Sequence, residues 1–163
     1  MKYVAYTDGG AHGNMNKNHK TLPTDPAGWA YKLTIYDNVG NIYREFSMSG
    51  AEFGKTNNQM ELTAVKMALL NITRTGVRPT DEITVYLDSN YVRDPLQIKD
   101  KLEGWHASHY KNKKNRELWE QLYQLKKYLP QAEFIHVDGH SGVDGNEFCH
   151  NRIQDAIARI EEK

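Results

Sequence analysis

Hydrophobic and polar positions change period several times along the chain, and each change marks an element. "YVAYT" near the N-terminus alternates and is rich in aromatic and β-branched residues, which predicts a strand ending at Asp8. A Gly-, Asn- and Pro-rich loop is expected from Gly9 to Pro26. "GWAYKLTIYD" and "NIYREFSMSG" repeat the strand pattern and are joined by the turn residues "DNVGN", so an antiparallel hairpin is predicted. From Asn57 the period lengthens: Glu61, Ala64, Val65, Ala68, Leu69 and Ile72 recur at helical spacing behind a Thr56 or Asn57 cap, giving a long helix that ends near Gly76. "EITVYLD" and "AEFIHV" are short apolar runs suited to buried strands, and Ser89 or Asn90 is placed to cap a helix after the first of them. "RELWEQLYQLKKYL" reads as an amphipathic helix stopped by Pro130. After Gly145, an apolar stripe of Cys149, Ile153, Ala156, Ile157 and Ile160 marks a C-terminal helix. The order β-β-β-α-β-α-β-α predicts an α/β fold with helices packed on a mixed sheet.

Composition narrows this picture. The 163 residues suit a single domain spanning 1–163, and no repeat or low-complexity segment divides it. Lys plus Arg and Asp plus Glu both number 21, so any contact with nucleic acid must come from a local patch rather than from net charge. Cys149 is the only cysteine, which removes a disulfide framework. "MKYVAYTDGG" lacks the features of a signal peptide, and no stretch approaches membrane-spanning length. A cytoplasmic protein with no membrane partner is the expectation.

Three places carry candidate chemistry. Asp8 and Asp88 each follow an apolar strand, and in open α/β sheets the functional crevice lies beyond the carboxyl ends of the strands. If those strands are parallel neighbours, about 4.8 Å apart, the two carboxylates are spaced to share a divalent cation. Either aspartate alone is also an ordinary turn former or helix cap. Glu61 lies on the stripe of Ala64, Val65 and Ala68 that faces the sheet, or else at its edge reaching solvent. Buried, it requires a cation or donors. Three converging acids would form a hard-oxygen site suited to Mg²⁺ or Mn²⁺ rather than zinc.

The second place is "HVDGHSGVDGNEFCH", residues 136–150, with three histidines, two aspartates, a glutamate and the cysteine. It admits a zinc site, a set of acid/base groups, or a polar loop running into a helix. The third is Lys111, Lys113, Lys114 and Arg116 beside Trp105, Tyr110 and Trp119, which is either a local nucleic-acid patch or a solvated helix face.

Taken together, "YTDGG", "TNNQMEL", "YLDSNYV", "GW" followed by "NRELW", and "VDGHSGVDGNEFC" resemble, in order and spacing, the motifs of type 1 ribonuclease H. The resemblance implies the ribonuclease H fold: a five-stranded mixed sheet, three antiparallel strands plus two parallel, flanked by helices. It implies endonucleolytic hydrolysis of the RNA strand of RNA–DNA hybrids with two divalent ions, Mg²⁺ or Mn²⁺, giving 5′-phosphate and 3′-hydroxyl ends. Carried over by position, Asp8, Glu61 and Asp88 are the catalytic, metal-binding carboxylates, and His140 is the proton-handling histidine of a loop. Asn14, Thr56, Asn57 and Gln59 match positions that contact the hybrid, where amide side chains can read a 2′-hydroxyl without adding charge. Trp105, Lys113, Lys114 and Asn115 fall in the region that grips the DNA strand, and Asn146 faces the crevice as a further substrate contact. A monomer is expected.

Two departures from the family pattern stand out. "GGAHGNMNKNHKTLPTDPAGW" is longer than the compact turn usual there, and loop length costs little stability. After Cys149 the family has a fourth carboxylate, whereas this chain has His150; Asp155 is predicted to point away from the sheet. His150 shares a helix face with Asn146 and is expected to act as a substitute metal ligand, directly or through an intervening water. A neutral imidazole suits Mn²⁺ better than Mg²⁺, so a Mn²⁺ preference is expected. Two other readings are another nuclease of the ribonuclease H-like superfamily and a catalytically weakened hybrid-binding domain. The zinc reading becomes the least favoured, with His136 in a strand, His140 in a loop, His150 on a helix and Cys149 in the core.

Overall fold

Strand pairing, more than any single residue, decides where the acidic side chains fall. The computed structural model describes residues 1–11, 21–138 and 144–162. Three strands open the chain: β1 (Lys2–Ala11), β2 (Pro26–Tyr36) and β3 (Ile42–Phe53). Helix α1 (Asn57–Thr73) and strand β4 (Glu82–Leu87) follow, then α2 (Asn90–Gln97), α3 (Lys101–Ala107) and α4 (Arg116–Tyr128). Strand β5 (Ala132–His136) and helix α5 (Asp144–Glu161) complete the order. The sheet runs β3-β2-β1-β4-β5; β1–β2 and β2–β3 pair antiparallel, while β1–β4 and β4–β5 pair parallel. This is the mixed sheet that the resemblance implies.

Two details differ from the sequence reading. Strand β1 does not end at Asp8 but runs to Ala11, because its backbone keeps pairing with β2 through Asp8↔Ala30, Gly9↔Trp29, Gly10↔Gly28 and Ala11↔Ala27. Ladder hydrogen bonds need no apolar side chains, so a run of Gly-Gly-Ala can extend a strand beyond its hydrophobic pattern. Between β4 and β5 there are three helices rather than one. Helix α2 is capped by Ser89, whose side chain accepts from Val92 N at 3.3 Å, and it contains Pro95; α3 spans only seven residues. Each spans only about two turns, shorter than the window of roughly 11–18 residues over which a helical period is read.

The two sheet faces bury different helices. Tyr3, Ala5, Ile83 and Val85 pack with Leu62, Val65, Ala68, Leu69 and Ile72 of α1 and with Trp119 and Leu122 of α4. On the other face, Ala30 packs with Cys149, Ile153 and Ile157 of α5, and Tyr6 and Phe148 border that cluster. The alternation along β1 produces this division, since successive side chains point to opposite faces. None of the helices among the described residues is long and apolar enough to cross a membrane.

Candidate active site

The parallel register of β1 and β4 ends at Tyr6↔Tyr86. Continuing the same offset by two residues brings Asp8 level with Asp88, just past the end of β4. The third carboxylate arrives from α1. A β-carbon built on Gly9 would fall inside the van der Waals envelope of the Met60–Glu61 peptide, so the first turn of α1 rests directly on the β1 backbone. That close approach brings Glu61 to Asp8. One carboxylate oxygen from each of Asp8, Glu61 and Asp88 lies within 4.8 Å of the others. Asp8 and Glu61 are each only 8% exposed, which settles the two alternatives for Glu61 in favour of burial.

The electrostatics are those of crowded, buried like charges. Burial, then the charge of Asp88, pushes the Asp8 carboxyl up to about 7, although Gly9 N–H donates to its Oδ1 at 2.9 Å. Burial, followed by the charges of Asp8 and Asp88, raises Glu61 well above the usual carboxylate range. Glu61 Oε2 is buried without a hydrogen-bond partner. Clustered acids with an orphaned buried oxygen fit a hard divalent ion, which would supply the missing partner and cancel the repulsion. Asp8, Glu61 and Asp88 are the residues that would hold it.

These shifts fix the sign of a pH effect. Both folded-state values stand above the unfolded ones, so between about pH 4 and about pH 7 the native protein holds protons that the unfolded chain has lost, and stability falls as pH rises through that window. Asp81 and Glu120, whose carboxyls are lowered, act only at more acidic pH. Protein in EDTA is therefore expected to melt at a higher temperature at pH 5 than at pH 8, and Mg²⁺ to stabilise it more at pH 8. Melting curves in EDTA that climb from pH 5 to pH 8 would contradict a buried like-charge cluster.

Around the carboxylates the remaining predicted residues divide. Thr56, not Asn57, caps α1, and the capping box is reciprocal: Thr56 Oγ1 accepts from Gln59 N at 3.1 Å, and Gln59 Oε1 accepts from Thr56 N at 2.9 Å. Asn57 Oδ1 accepts from Ala11 N at 2.5 Å, tying the helix to the end of β1. With both carbonyl oxygens committed, the amide NH₂ groups of Asn57 and Gln59 are the donors available to a substrate. Asn146 is buried at 4% exposure, while His150, four residues on, is exposed and stands outside the group formed by Asp8, Glu61 and Asp88. The two members of the shared helix face thus differ in burial, Asn146 inside and His150 in solvent. Asp155 is exposed, as expected. His140 and Asn14 lie outside the described residues.

In the basic region, Trp105 has Lys113 Nζ 4.3 Å and Lys101 Nζ 5.9 Å from its ring centroid, and it meets Trp119 edge-on at 5.3 Å. Lys114 is exposed. Sequence reasoning passed over Tyr91, whose hydroxyl accepts from both Asn115 Nδ2 at 3.1 Å and Trp119 Nε1 at 3.3 Å and so joins α2 to the start of α4. It also passed over Gly9, although the doubled glycine after Asp8 was a signal of close backbone approach.

A parallel strand pair that ends beneath converging acids, on a sheet covered by helices on both faces, defines an α/β protein with a carboxylate cluster at its strand ends that could hold a cation. The family model described as RNase H matches residues 1–158. A ribonuclease H of Treponema denticola is 31% identical over 172 residues, covering 98% of this chain and 99% of that protein. One of Nitratidesulfovibrio vulgaris is 35% identical over 166 residues, covering 99% and 90%. Among solved structures, LC9-RNase H1, a type 1 RNase H with the type 2 active-site motif, aligns with a TM-score of 0.80 at 22% identity over 97% of this chain and 72% of that one. LC11-RNase H1 in complex with an RNA/DNA hybrid gives 0.66 at 24% identity, over 98% and 99%. The chain belongs to the RNase H family.

Proposed function

We propose that the protein is a metal-dependent endoribonuclease that hydrolyses the RNA strand of RNA–DNA hybrids, leaving 5′-phosphate and 3′-hydroxyl ends. The observation that carries this reading is the cluster of Asp8, Glu61 and Asp88 oxygens within 4.8 Å, in a chain of the RNase H family. Two divalent ions held there would supply an activated water on one side of the scissile phosphate and charge neutralisation on the other. Asp8 and Glu61 contribute the buried charge that selects such ions, and Asp88 closes the group from the β4 side. Asn57 and Gln59 offer amide donors to the sugar of the RNA strand, Thr56 and Asn14 are further contacts to the hybrid, and Trp105, Lys113, Lys114 and Asn115 grip the DNA strand. Asn146 supports the substrate near the carboxylates. His140 transfers a proton beside the attacking water or the leaving oxygen. A structure of a family neighbour bound to an RNA/DNA hybrid supports the choice of substrate. The protein acts as a monomer.

The decisive assay is cleavage of a labelled hybrid beside double-stranded RNA and DNA controls, with Mg²⁺ and Mn²⁺ in turn. Cutting confined to the RNA of the hybrid is expected; equal cutting of DNA would point to another nuclease of the superfamily, and binding without cutting to a weakened hybrid-binding domain. His150 belongs to the same test. An exposed imidazole next to the buried Asn146 acts on a metal through water rather than from inside the carboxylate group. The expected result is higher activity with Mn²⁺ than with Mg²⁺, and a gain of about tenfold in Mg²⁺ for His150→Asp, the size of a typical indirect contribution to a metal site. No gain would remove His150 from the metal chemistry.

A further inference from the structure

Every non-glycine residue with left-handed backbone among the described residues lies between Asp100 and Asn115, the segment that bears the basic patch. They are Asp100 (φ 62°), His109 (54°), Tyr110 (56°), Asn112 (62°) and Asn115 (61°). Asp, Asn and His enter this region more readily than most residues, but a tyrosine there is strained. Helix α3 closes with His109 N–H donating to His106 O at 3.0 Å and Tyr110 N–H donating to Trp105 O at 2.7 Å. This is a Schellman arrangement, and the position that normally favours glycine is occupied by His109. Two successive left-handed residues without a glycine persist only where surrounding contacts over-determine them.

Those contacts come from α4. Tyr110 is 5% exposed, and its hydroxyl donates to Glu120 Oε2 at 2.5 Å. His106 Nδ1 meets the same oxygen at 2.8 Å, and Gln124 Nε2 donates to Glu120 Oε1 at 3.0 Å. The His106 ring stacks on Tyr123 at 4.0 Å and 14°, and stands edge-on to Tyr110 at 6.3 Å. The Tyr110 and Gln124 donors, chiefly, hold the Glu120 carboxyl down at about 2, so it remains an ionised acceptor. From this anchor the chain passes straight to the cations: Lys113 N–H donates to Tyr110 O at 2.9 Å, and Arg116 Nε donates to Lys113 O at 3.2 Å.

We propose that Tyr110, Glu120 and His106 form a clasp that keeps the 109–115 turn in its left-handed conformation, and that they act as positioning residues for the DNA-strand grip made by Lys113, Lys114 and Asn115. The inference rests on the hybrid-cleaving reading of the same protein and explains why a tyrosine, rather than a glycine, stands at a left-handed position. None of the three side chains needs to touch the hybrid.

Tyr110→Phe removes only the hydroxyl, and Glu120→Ala removes the shared acceptor. If the turn holds its gripping conformation only a tenth of the time without the clasp, the hybrid KM rises about tenfold, with kcat at saturating hybrid within about twofold of wild type. The double variant should be no worse than the more affected single one, because both singles break the same hydrogen bond. The salt dependence of hybrid binding should also flatten by about one phosphate contact. A merely structural role would lower kcat through the active fraction and leave KM and the salt slope unchanged, and that outcome overturns the clasp. Wild-type activity with wild-type KM in both variants overturns it equally. A wild-type protein that neither binds nor cuts hybrid removes the functional reading itself, and this positioning role with it.

Discussion

Asp8→Asn and Glu61→Gln are each expected to lower hybrid cleavage by about 10²-fold or more, the loss usual when a preorganised charge is removed from a reacting centre, while hybrid binding survives. The same substitutions should make the metal-free protein more stable. Asp8 is buried and its carboxyl is pushed up to about 7 from 3.8, so at pH 8 keeping it ionised costs on the order of a few kcal/mol, at about 1.4 kcal/mol per unit. A neutral amide of the same shape avoids that cost. For a chain of this length each kcal/mol moves the melting temperature by about 2–4 °C, so an upward shift of roughly 5–15 °C at pH 8 in EDTA is expected. Single-turnover cleavage, hybrid binding by fluorescence anisotropy and thermal melts read the three quantities separately. Retained cleavage would exclude the carboxylates from the chemistry, and a lowered melting temperature would show that they are not crowded as described.

Gly9→Ala should be the most damaging single methyl group on β1. Its β-carbon meets the backbone of Met60 and Glu61, which cannot rotate aside as a side chain can. Overpacking of this kind costs about 1–3 kcal/mol, and helix α1 must lift to relieve it. Lifting α1 withdraws Glu61 from Asp8, and a misplacement of about 1 Å at a reacting centre can cost about 10²-fold in rate. Gly10→Ala is the control one residue along, where the nearest atom to the added carbon is Asn57 Oδ1 at 3.9 Å. Urea unfolding and cleavage assays should therefore separate the two glycines sharply. Equal behaviour would mean that α1 does not rest on β1 through Gly9.

The same contact shows what sequence reasoning could reach. Helical spacing placed Glu61 on or beside the buried stripe but left burial undecided, because the decision depends on how closely α1 approaches β1, a distance set by Gly9 in a different element. The apolar pattern located β1 and β4, and with them Asp8 and Asp88; it missed the last three residues of β1, since pairing with β2 there runs through Gly9, Gly10 and Ala11. The Ser89 cap announced α2, but α2 and α3 span only about two turns each, too little for their extents to be read from periodicity. For Asn146 and His150, four positions turn a helix by about 400°, leaving the pair about 40° apart, enough for one to be buried and the other exposed at the margin of a face. The basic patch was legible as composition, whereas the Tyr91 and Glu120 side chains make hydrogen bonds to residues outside their own helices that no periodicity marks.

Because β1 outlasts β4, Asp8 stands on a ledge one strand wide. On one side β2 completes the ladder and immobilises the backbone beneath Asp8; on the other, where β4 has stopped, the sheet has a notch. The strand that carries Asp8 is therefore laced to a neighbour along one edge and unpaired by β4 along the other, so the backbone beneath the carboxylate is held from a single side.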